Sequence, residues 1–542
     1  MDRLLEMENI HIEGMSEGKW RPIIKGIDLH LDRGEVLGLI GESGAGKSTM
    51  GIASMAYVRQ GCRISSGSIL FNGKELVGSS KEELRHIRGN RIAYVAQSAA
   101  ASFNPAHRLI KQYAEAPVQH GAMDYKTAAE NAVDIYTRLL LPDPDQIGFR
   151  YPHQVSGGQL QRAMVAMAMA CKPDIIIFDE PTTALDVTTQ IEVLAAIKQV
   201  VREFNTAAIY ITHDLAVVGQ VSDRIMVLRN GLLVEENNAR EMIANPQQDY
   251  TRRLLAVRTM KEEKDLSENE NDVVLKVNDV AASYNGKDNV VEDINLKIRR
   301  GRTVALVGES GSGKSTLARV VTGLLPLSTG SVTYKGRELP RKLKHRDKEM
   351  LRQIQMIYQM PDTALNPKQK VSKIIGRPLE YYLGINGKER KKRVIELLEK
   401  IELSEKYYGR YTTELSGGEK QRICIARALA AQPELIICDE VTSALDQLVA
   451  DGILKLLQDL QNEMNVSYLF ITHDLATVKA ISDEIVVMLK GRIVEQGGKE
   501  EVLTPPHHEY TELLLSSVPQ MDPDWLDTLL AHRKEKNKVM NF

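Results

Sequence analysis

Short runs of apolar residues recur along the chain, and most of them end at a polar residue. In the first half these runs are VLGLI, IIIF and AAIYI, and in the second half they are TVALV, LIIC and YLFI. Such short, non-alternating runs, several of them rich in β-branched residues, are typical of parallel strands that are buried on both faces. Stretches with helical spacing, such as QLQRAMVAMAMA, lie between them. The pattern predicts an α/β fold with ligands at the carboxyl ends of the strands.

The same series of motifs occurs twice. GESGAGKST at Gly41 recurs as GESGSGKST at Gly308, IIIFDE recurs as LIICDE, and ITHDLA occurs in both halves. A chain of 542 residues is also too long for one hydrophobic core. We therefore expect two copies of one domain, over residues 1–260 and 273–520. A charged linker at 261–272 would join them, and a tail would follow at 521–542.

Composition narrows the class of protein. The 70 Lys and Arg residues nearly balance the 72 Asp and Glu residues, so no basic excess indicates a nucleic-acid partner. The four cysteines form no CxxC pair, and we expect them to be reduced thiols in a cytosolic protein. We expect no leader, because the start, MDRLLEMENIHIEG, lacks a charged segment followed by an apolar one. We also expect no membrane span, because Lys172, Pro173 and Asp174 interrupt even the longest apolar-rich stretch, AMVAMAMACKPDIIIF.

Each half contains a glycine-rich loop of the pattern GxxxxGK[ST] between an apolar strand and a helical stretch. Glycines let main-chain N–H groups approach phosphates, Lys47 and Lys314 supply positive charge, and Ser48 and Ser315 offer hydroxyls to Mg²⁺. The alternative is a plain glycine turn, but a turn does not require this pattern twice in the same setting. The expected nucleotide-binding residues are Gly41, Glu42, Ser43, Gly44, Ala45, Gly46, Lys47, Ser48 and Thr49, and Gly308, Glu309, Ser310, Gly311, Ser312, Gly313, Lys314, Ser315 and Thr316.

An acid pair follows a second apolar run in each half. Asp179 and Asp439 are expected to hold Mg²⁺ through a hydroxyl or a water molecule. Glu180 and Glu440 would then orient or deprotonate the attacking water, a role worth about 10² to 10⁴ in rate. Taken alone, such a pair is equally well a strand end with exposed carboxylates. Its repetition downstream of both loops favours the catalytic interpretation.

Two further polar residues end apolar strands in each half. His213 and His473 precede Asp-Leu-Ala, and although a lone histidine there is more often structural, their matched placement favours a contact to the γ-phosphate. Gln97 and Gln359 end RIAYVAQ and QIQMIYQ, where an amide can meet both the metal and the attacking water. We therefore count these four residues among the catalytic candidates, and the two glutamines also among the metal ligands.

The motifs occur in one order in both halves: phosphate loop, glutamine loop, SGG signature, acid pair, ALD element and histidine loop. In this order the chain resembles a tandem ATP-binding-cassette ATPase over almost its whole length. The resemblance implies two nucleotide-binding domains, each with a P-loop α/β core, an antiparallel β subdomain and a helical signature subdomain. It implies MgATP as the bound nucleotide.

The same resemblance implies that the two cassettes pack head to tail, with each ATP between one phosphate loop and the opposite signature. It pairs Lys47, Asp179, Glu180 and His213 with Ser416, Gly417 and Gly418, and it pairs Lys314, Asp439, Glu440 and His473 with Ser156, Gly157 and Gly158. It assigns Asp186 and Asp446 to the seam between the cassettes. The first signature, VSGGQLQR, has Val155 where the second has Leu415. The missing methylene is worth about 0.8 kcal/mol at most, so we expect two hydrolysis-competent sites.

The two halves differ at the residue that would stack on the adenine base. Tyr284, in AASYNG, matches the aromatic residue that stacks on adenine in this family. The corresponding stretch of the first half, HIEGMSEGKW, has no aromatic residue at that place. Trp20 either reaches in from a short insertion or lies on the surface. If one site is weaker, we expect it to be this first site.

A narrower resemblance comes from features that hydrolysis does not need. Asn-Pro elements follow both glutamine loops, in ASFNPAHR and TALNPKQK, and the cassettes end in NPQQDYTRRLL and TPPHHEYTELLLSSVP. In these features the chain resembles the ATPases of dipeptide, oligopeptide, nickel and glutathione importers. The resemblance implies two transmembrane permease subunits and an extracytoplasmic solute-binding protein as partners, no nucleic acid, and a peripheral position on the cytoplasmic face of the inner membrane. Many of these ATPases have a cysteine cluster near the C-terminus, but no cysteine follows Cys438, so we expect no iron–sulfur or zinc site.

Several alternatives stay open on the sequence. The importer could carry a non-peptide solute such as nickel, glutathione, an opine or a sugar conjugate. A twin-cassette ATPase acting on ribosomes also lacks membrane spans, but such proteins have a long charged linker and a basic surface, unlike this chain. The tail MDPDWLDTLLAHRKEKNKVMNF could be a docking helix or a frayed end, and we expect the frayed end.

Overall fold

The computed structural model of the chain describes residues 3–16, 18–183, 185–255, 272–443 and 445–540, with the backbone alone for residues 534–540. The predicted linker at 261–272 therefore lies outside the described residues, except for Asp272. The chain divides into two compact units, Met1–Ala256 with Pro519–Phe542, and Val257–Val518.

The first unit begins with strands and alternates with helices after the phosphate loop. Its strands are β1 (Arg3–Ser16), β2 (Lys19–Asp32), β3 (Val36–Ile40), β4 (Cys62–Phe71), β5 (Lys74–Glu75), β6 (Ile92–Val95), β7 (Ile175–Asp179), β8 (Ala207–Ile211), β9 (Arg224–Arg229) and β10 (Leu232–Asn238). Its helices up to the linker are α1 (Lys47–Ala53), α2 (Lys81–Ile87), α3 (Ala99–Ser102), α4 (Leu109–Gln119), α5 (Tyr125–Arg138), α6 (Pro144–Ile147), α7 (Gly157–Met169), α8 (Val187–Phe204), α9 (Leu215–Val221), α10 (Ala239–Ala244) and α11 (Asp249–Leu255), with a 3-10 turn at Pro152–Gln154.

Two sheets form the centre of the first unit. A four-stranded antiparallel sheet has the order β2-β1-β4-β5, and a six-stranded sheet has the order β10-β9-β3-β8-β7-β6. Strands β9, β3, β8, β7 and β6 run parallel, and β10 is antiparallel to β9. Apolar residues of both sheets and of α1 share one core. Strands β7 and β8 are completely buried, as their uninterrupted apolar runs predict.

A helical layer is inserted between β6 and β7. Helices α4 and α5 pack on each other and on α7, and α7 also packs on α8. The contact between α7 and α8 depends on Gly158, because a Cβ atom there would lie 2.1 Å from Cγ2 of Thr189. Helix α7 starts at the first SGG signature, so the motif sits where a helix N-terminus meets this layer.

The second unit repeats this plan. Its strands are β11 (Val273–Ala282), β12 (Val291–Arg299), β13 (Thr303–Val307), β14 (Thr329–Tyr334), β15 (Arg337–Glu338), β16 (Ile354–Ile357), β17 (Leu435–Asp439), β18 (Ser467–Ile471), β19 (Glu484–Leu489) and β20 (Arg492–Gly498). Its helices are α12 (Lys314–Thr322), α13 (Lys348–Gln353), α14 (Pro361–Ala364), α15 (Val371–Leu383), α16 (Gly387–Lys400), α17 (Gly417–Leu429), α18 (Gln447–Met464), α19 (Leu475–Ile481), α20 (Lys499–Leu503) and α21 (Glu509–Ser516), with 3-10 turns at Leu343–His345, Glu405–Gly409 and Thr412–Glu414.

The sheets of the second unit have the orders β12-β11-β14-β15 and β16-β17-β18-β13-β19-β20. These orders match those of the first unit strand for strand. Helices α15, α16 and α17 pack together as the counterpart of α4, α5 and α7. The expected α/β architecture, with an antiparallel sheet and a helical layer added to each core, is confirmed.

The C-terminal segment differs from the expected frayed end. It forms α22 (Trp525–Met540) and groups with the first unit, although it follows the second along the chain. Trp525 is 8% exposed and Leu526 is fully buried. The apolar residues of the tail are therefore packed against protein, which is the docking alternative. Among the described residues, no helix combines the length and the apolar character that a membrane span requires.

Candidate active sites

The two phosphate loops turn directly from a buried strand into a helix. Gly41 and Gly308 have φ angles of 144° and 149°, and a Cβ atom at either would lie about 2 Å from a carbonyl oxygen of the neighbouring strand. Lys47 Nζ donates to the carbonyls of Gly41 at 2.7 Å and Glu42 at 2.9 Å. Its counterpart Lys314 donates to the carbonyls of Gly308 and Glu309. Both ammonium groups are thus held inside the loop where a phosphate chain would lie.

A tyrosine from the end of each cassette holds the loop from outside. The backbone N–H of Glu42 donates to the hydroxyl of Tyr250 at 3.1 Å, and that of Glu309 donates to Tyr510 at 2.8 Å. Sequence reasoning noted the repeated Tyr-Thr element as a family feature but missed this role. The repeat was the only signal, because each tyrosine lies about two hundred residues from its loop.

The hydroxyl of the loop serine meets the first residue of the acid pair in both halves. Ser48 Oγ donates to Asp179 Oδ1 at 2.7 Å, and Ser315 Oγ donates to Asp439 Oδ1 at 3.0 Å. The two aspartates are only 4% and 8% exposed. Burial raises the pKa of Asp439, and the hydrogen bond from Ser315 opposes that change.

The surroundings of the two aspartates are not the same. In the first unit, the hydroxyl of Tyr94 donates to Asp179 Oδ2 at 2.7 Å. Burial and this carboxylate both raise the pKa of Tyr94, so the phenol stays protonated and acts as a donor. The corresponding residue of the second half is Met356, one residue before the end of its strand at Ile357. A thioether has no hydrogen to donate, so Asp439 lacks this second contact.

The second residue of the acid pair lies at the centre of a polar cluster. In the first unit, Gln97 Nε2 donates to Glu180 Oε2 at 2.9 Å, and His213 Nδ1 lies 3.3 Å from Glu180 Oε1. In the second unit, Gln359 Nε2 donates to Glu440 Oε2 at 2.6 Å, and His473 Nδ1 lies 3.5 Å from Glu440 Oε1. The structure thus brings together glutamine, glutamate and histidine residues that come from three separate strand ends.

Electrostatics keep this glutamate charged. Burial raises the pKa of Glu180, but His213, Lys47 and Thr183 together lower it, and the net shift is downward. Burial lowers the pKa of His213, but Glu180 raises it overall. Glu440 and His473 shift in the same directions for the same reasons. Each half therefore holds an ionised carboxylate at the end of a buried strand, which suits a proton acceptor.

Backbone geometry fixes where the carboxylate points. Glu180 and Glu440 have left-handed φ angles of 50° and 49°, which are uncommon for a residue with a side chain. Their N–H groups donate to the carbonyls of Ile211 and Ile471, the last residues of the neighbouring strands, at 2.9 Å each. The strand edge thus holds both glutamates in an unfavourable conformation, as is common for residues at functional sites.

The signature residues form helix N-termini in both halves. Ser156 caps α7 in a capping box with Gln159, and Ser416 caps α17 in a capping box with Glu419. Gly157 and Gly158, like Gly417 and Gly418, are the first residues of these helices, where N–H groups point out of the helix. Leu415 is buried in the core of the second unit, whereas Val155 is only half-buried.

The two aromatic candidates for adenine stacking have different surroundings. Tyr284 is 55% exposed, and its hydroxyl accepts from Arg319 at 2.9 Å and lies 3.4 Å from Thr316 Oγ1, at the helix that follows the loop. Trp20 lies on β2, and the guanidinium of Arg63 lies 4.2 Å from the centre of its ring. An arginine lies over each ring, because Arg319 is also 5.9 Å from the ring centre of Tyr284. What distinguishes Tyr284 is its position beside the helix that follows the phosphate loop, which suits a base.

The chain was compared with known proteins. Residues 24–183 and 291–443 match the family described as ABC transporter, and residues 494–541 match the oligopeptide/dipeptide transporter C-terminal region. The chain is 36% identical to the glutathione import ATP-binding proteins GsiA of Salmonella typhimurium, over 561 residues, and of Escherichia coli O157:H7, over 563 residues. Both matches cover 96% of this chain and 90% of the relative.

Among solved structures, the complex of the archaeal ribosomal stalk protein aP1 and the archaeal ribosome recycling factor aABCE1 is similar to this chain. It has a TM-score of 0.60 and 20% identity, and the match covers 87% of each chain. At this identity the likeness shows the fold alone. The family matches and the full-length relatives together show that the chain belongs to the ABC transporter ATPases, within the oligopeptide/dipeptide transporter group.

Proposed function

We propose that both halves hydrolyse ATP and that the chain energises a membrane importer of di- or oligopeptides or related small solutes. One observation supports the catalytic part above all: in each half a glutamine and a histidine contact the same half-buried, ionised glutamate beside the phosphate loop. A structural acid pair does not need two such partners, and it does not need them at two equivalent places.

In this proposal each residue of the cluster has its own task. Lys47 binds the β- and γ-phosphates once they replace the loop carbonyls as its partners. Glu180 accepts a proton from the attacking water, and Gln97 orients both that water and the carboxylate. His213 contacts the γ-phosphate and keeps Glu180 ionised until the proton arrives. Lys314, Glu440, Gln359 and His473 act in the same way in the second half.

The residues next to each loop also fit a magnesium ion. The hydroxyl of Ser48, the carboxylate of Asp179 and the amide oxygen of Gln97 are hard oxygen donors, which Mg²⁺ prefers. Ser315, Asp439 and Gln359 form the matching set. When bound, the ion would neutralise charge on the phosphates. The protein's contribution is to orient these oxygens, through the contacts between Ser48 and Asp179 and between Ser315 and Asp439.

For the signature residues we propose the arrangement that the family uses. Ser156, Gly157 and Gly158 would serve the nucleotide held by Lys314, and Ser416, Gly417 and Gly418 would serve the one held by Lys47. Helix N-termini with outward N–H groups support this, because they bind anions well. Val155 is half-buried, so its missing methylene removes less apolar contact than a core substitution would.

The import function is proposed from the relatives. GsiA is named a glutathione import ATP-binding protein, and glutathione is itself a tripeptide. We propose that this chain binds two transmembrane permease subunits at the cytoplasmic face of the inner membrane and serves an extracytoplasmic solute-binding protein through them. Nickel, opine or sugar-conjugate import would use the same cassettes, because the cassettes do not touch the solute.

The catalytic proposal is tested with Glu180→Gln and Glu440→Gln together. We expect ATP binding to persist and hydrolysis to fall by about 10² to 10⁴, because the amide cannot accept the proton. Equilibrium binding and phosphate release measure the two quantities separately. Glu241→Gln, on the exposed face of α10, is the control, with unchanged turnover expected. Full hydrolysis by the double variant would refute the role of the glutamates.

The import proposal needs the assembled transporter. The chain would be reconstituted in vesicles with the permease subunits and the solute-binding protein encoded beside its gene. We expect dipeptides, oligopeptides or glutathione to stimulate ATP hydrolysis, and the stimulation to require the solute-binding protein. Stimulation by a metal chelate or a sugar conjugate alone would replace the peptide assignment. Failure to associate with any permease would refute import altogether.

A further inference from the structure

The C-terminal segment leaves the second unit at Val518 and packs against the first. Residues Pro519–Phe542 group with the first unit, and α22 packs on α8. Trp525 and Leu526, at the start of α22, are buried there. The contact brings together the last part of the chain and residues about three hundred positions earlier.

A single buried glutamine holds the start of this segment. Gln220, in α9, is 2% exposed. Its Nε2 donates to the carbonyls of Gln520 and Asp522, both at 2.8 Å, and its Oε1 accepts from the N–H of Leu526 at 3.0 Å. The side-chain amide of Gln220 therefore makes two donated hydrogen bonds and one accepted hydrogen bond with the backbone of the tail. Without the tail, these three bonds would be lost from a buried polar group.

Charge complementarity surrounds this glutamine. Arg240 makes two hydrogen bonds to the carboxylate of Asp524, at 2.6 and 2.9 Å. Lys198 Nζ lies 3.0 Å from Asp527 Oδ2, and Arg202 lies 3.8 Å from the same oxygen. The acidic residues at the start of the tail thus face basic residues on α8 and α10. We call Lys198, Arg202, Gln220 and Arg240 the tail receptor.

The second half lacks this receptor, although it repeats the fold. The acid pairs and histidine loops of the two halves align the second half with the first. In this alignment Lys198, Arg202, Gln220 and Arg240 correspond to Gln458, Asn462, Ala480 and Glu500. Two cations and the bridging amide are therefore lost, and the third cation becomes an acid that would repel Asp524. Gln458 instead donates to the carbonyl of Ala480 within the second unit. The basic and amide side chains that contact the tail are therefore particular to the first half.

We propose that the tail receptor of the first cassette is a dedicated binding site for residues 519–527 of the same chain. The second cassette is then attached to the first at its C-terminal end, in addition to the covalent connection through residues 257–271. The attachment uses no residue of the nucleotide sites, so it persists when nucleotide leaves. It is independent of the proposed hydrolysis and import, and it can fail or hold without them.

Hydrogen exchange of the full chain tests the attachment. Arg240→Glu and Gln220→Ala together give the receptor the residues of the second half, Glu500 and Ala480. We expect the amides of Leu526 and Thr528 to exchange about tenfold faster or more, because buried hydrogen bonds are lost. Amides of β13 should be unchanged. The matched control, Glu500→Arg with Ala480→Gln, should leave the tail as protected as in the native chain. An unchanged tail in the receptor variant would overturn the proposal.

A charge exchange tests the same contact with a variant that should fold. Arg240 is an exposed residue, so Arg240→Glu alone should leave the unit folded and the tail less protected. Adding Asp524→Arg restores an opposite pair, and we expect protection of the tail to return. No recovery would contradict the contact. If the native chain is a dimer that Arg240→Glu converts to a monomer in light scattering, the tail docks on a second copy and the intrachain attachment is wrong.

Discussion

At the scale of single residues, the two sites share their central groups and differ in what supports them. Both halves place glutamine and histidine on one glutamate. Only the first gives its metal-side aspartate a phenol donor, because Tyr94 is replaced by Met356. Only the second has an aromatic residue at the expected adenine position, Tyr284, beside the helix that follows the loop. The sites are therefore not copies, and each is expected to respond to a different substitution.

Tyr94→Phe removes the second donor of Asp179 without changing the shape of the ring. We expect it to destabilise the first unit by about 1 to 3 kcal/mol, because a buried carboxylate loses a hydrogen bond. Thermal unfolding of the full chain without nucleotide measures this. The matched control is Met356→Leu, a volume-conserving change for which we expect a cost below about 1.5 kcal/mol. Equal stability of the native chain and Tyr94→Phe would show that Asp179 does not depend on the phenol.

Tyr284→Ala tests the adenine platform of the second site. Loss of base stacking should weaken nucleotide binding at this site by about 1 to 3 kcal/mol, while Tyr284→Phe should bind nearly normally because it retains the ring. Trp20→Ala should leave the affinity of the first site unchanged, because Trp20 lies on β2 and its ring packs on Arg63 of the same antiparallel sheet. Binding of a fluorescent ATP analogue to each variant measures the effect. Weaker binding by Trp20→Ala would place Trp20 at the adenine base after all.

At the scale of secondary-structure elements, Asp186 and Asp446 each cap a helix of their own unit. The family resemblance assigns the same two residues to the seam between the cassettes. Asp186 accepts from the N–H of Thr189 at 3.0 Å and caps α8, and Asp446 caps α18 through Val449. Burial raises the pKa of Asp186, but these local hydrogen bonds lower it overall. Both aspartates thus have a structural role within their own unit. A role at the seam has to be tested separately from the cap.

Asparagine and alanine at Asp186 separate the two roles. Asp186→Ala should cost about 0.5 to 2 kcal/mol, because α8 loses its cap, while Asp186→Asn should keep most of the stability because asparagine also caps helices. Thermal unfolding gives the stabilities, and ATP hydrolysis gives the activity. If the charge of Asp186 is needed at the seam, Asp186→Asn should be as stable as the native chain but hydrolyse ATP more slowly. Full activity of Asp186→Asn would show that Asp186 acts only as a helix cap.

Elements near the motifs were predictable, and the contacts between them were not. The apolar runs before Gly41, Asp179 and His213 became β3, β7 and β8 because uninterrupted apolar segments must be buried. The tail was wrongly expected to fray, because its few apolar residues are too sparse to show a buried face. Its stability comes from Gln220 and Arg240, which are far away in sequence. Local patterns carry no information about such partners.

At the scale of the whole molecule, the chain contains two sets of phosphate-loop residues in separate units. Each set is assembled from its own unit: Lys47 with the carbonyls of its loop in the first, and Lys314 with those of its loop in the second. The loss of one site should therefore leave the second able to bind nucleotide.

Lys47→Met and Lys314→Met test this independence. In the background of Glu180→Gln and Glu440→Gln, where nucleotide should not turn over, we expect the parent chain to bind two ATP molecules and each lysine variant to bind one. The physical reason is that methionine keeps the length of the side chain but cannot neutralise phosphate charge. Isothermal titration calorimetry counts the sites. Loss of both sites in either variant would mean that the two halves bind only together.

The sequence alone determined the two-fold repeat, the α/β class and the identity of the residues at the phosphate loops, acid pairs, glutamine loops and histidine loops. These are local properties, because glycine positions, apolar runs and charged pairs act over a few residues. Only the tertiary structure decided that Tyr250 and Tyr510 hold the loops, that Tyr94 supports one aspartate, and that the tail rests on the first unit. These contacts join residues about one hundred to three hundred positions apart, and the packing of elements, not local pattern, brings such residues together.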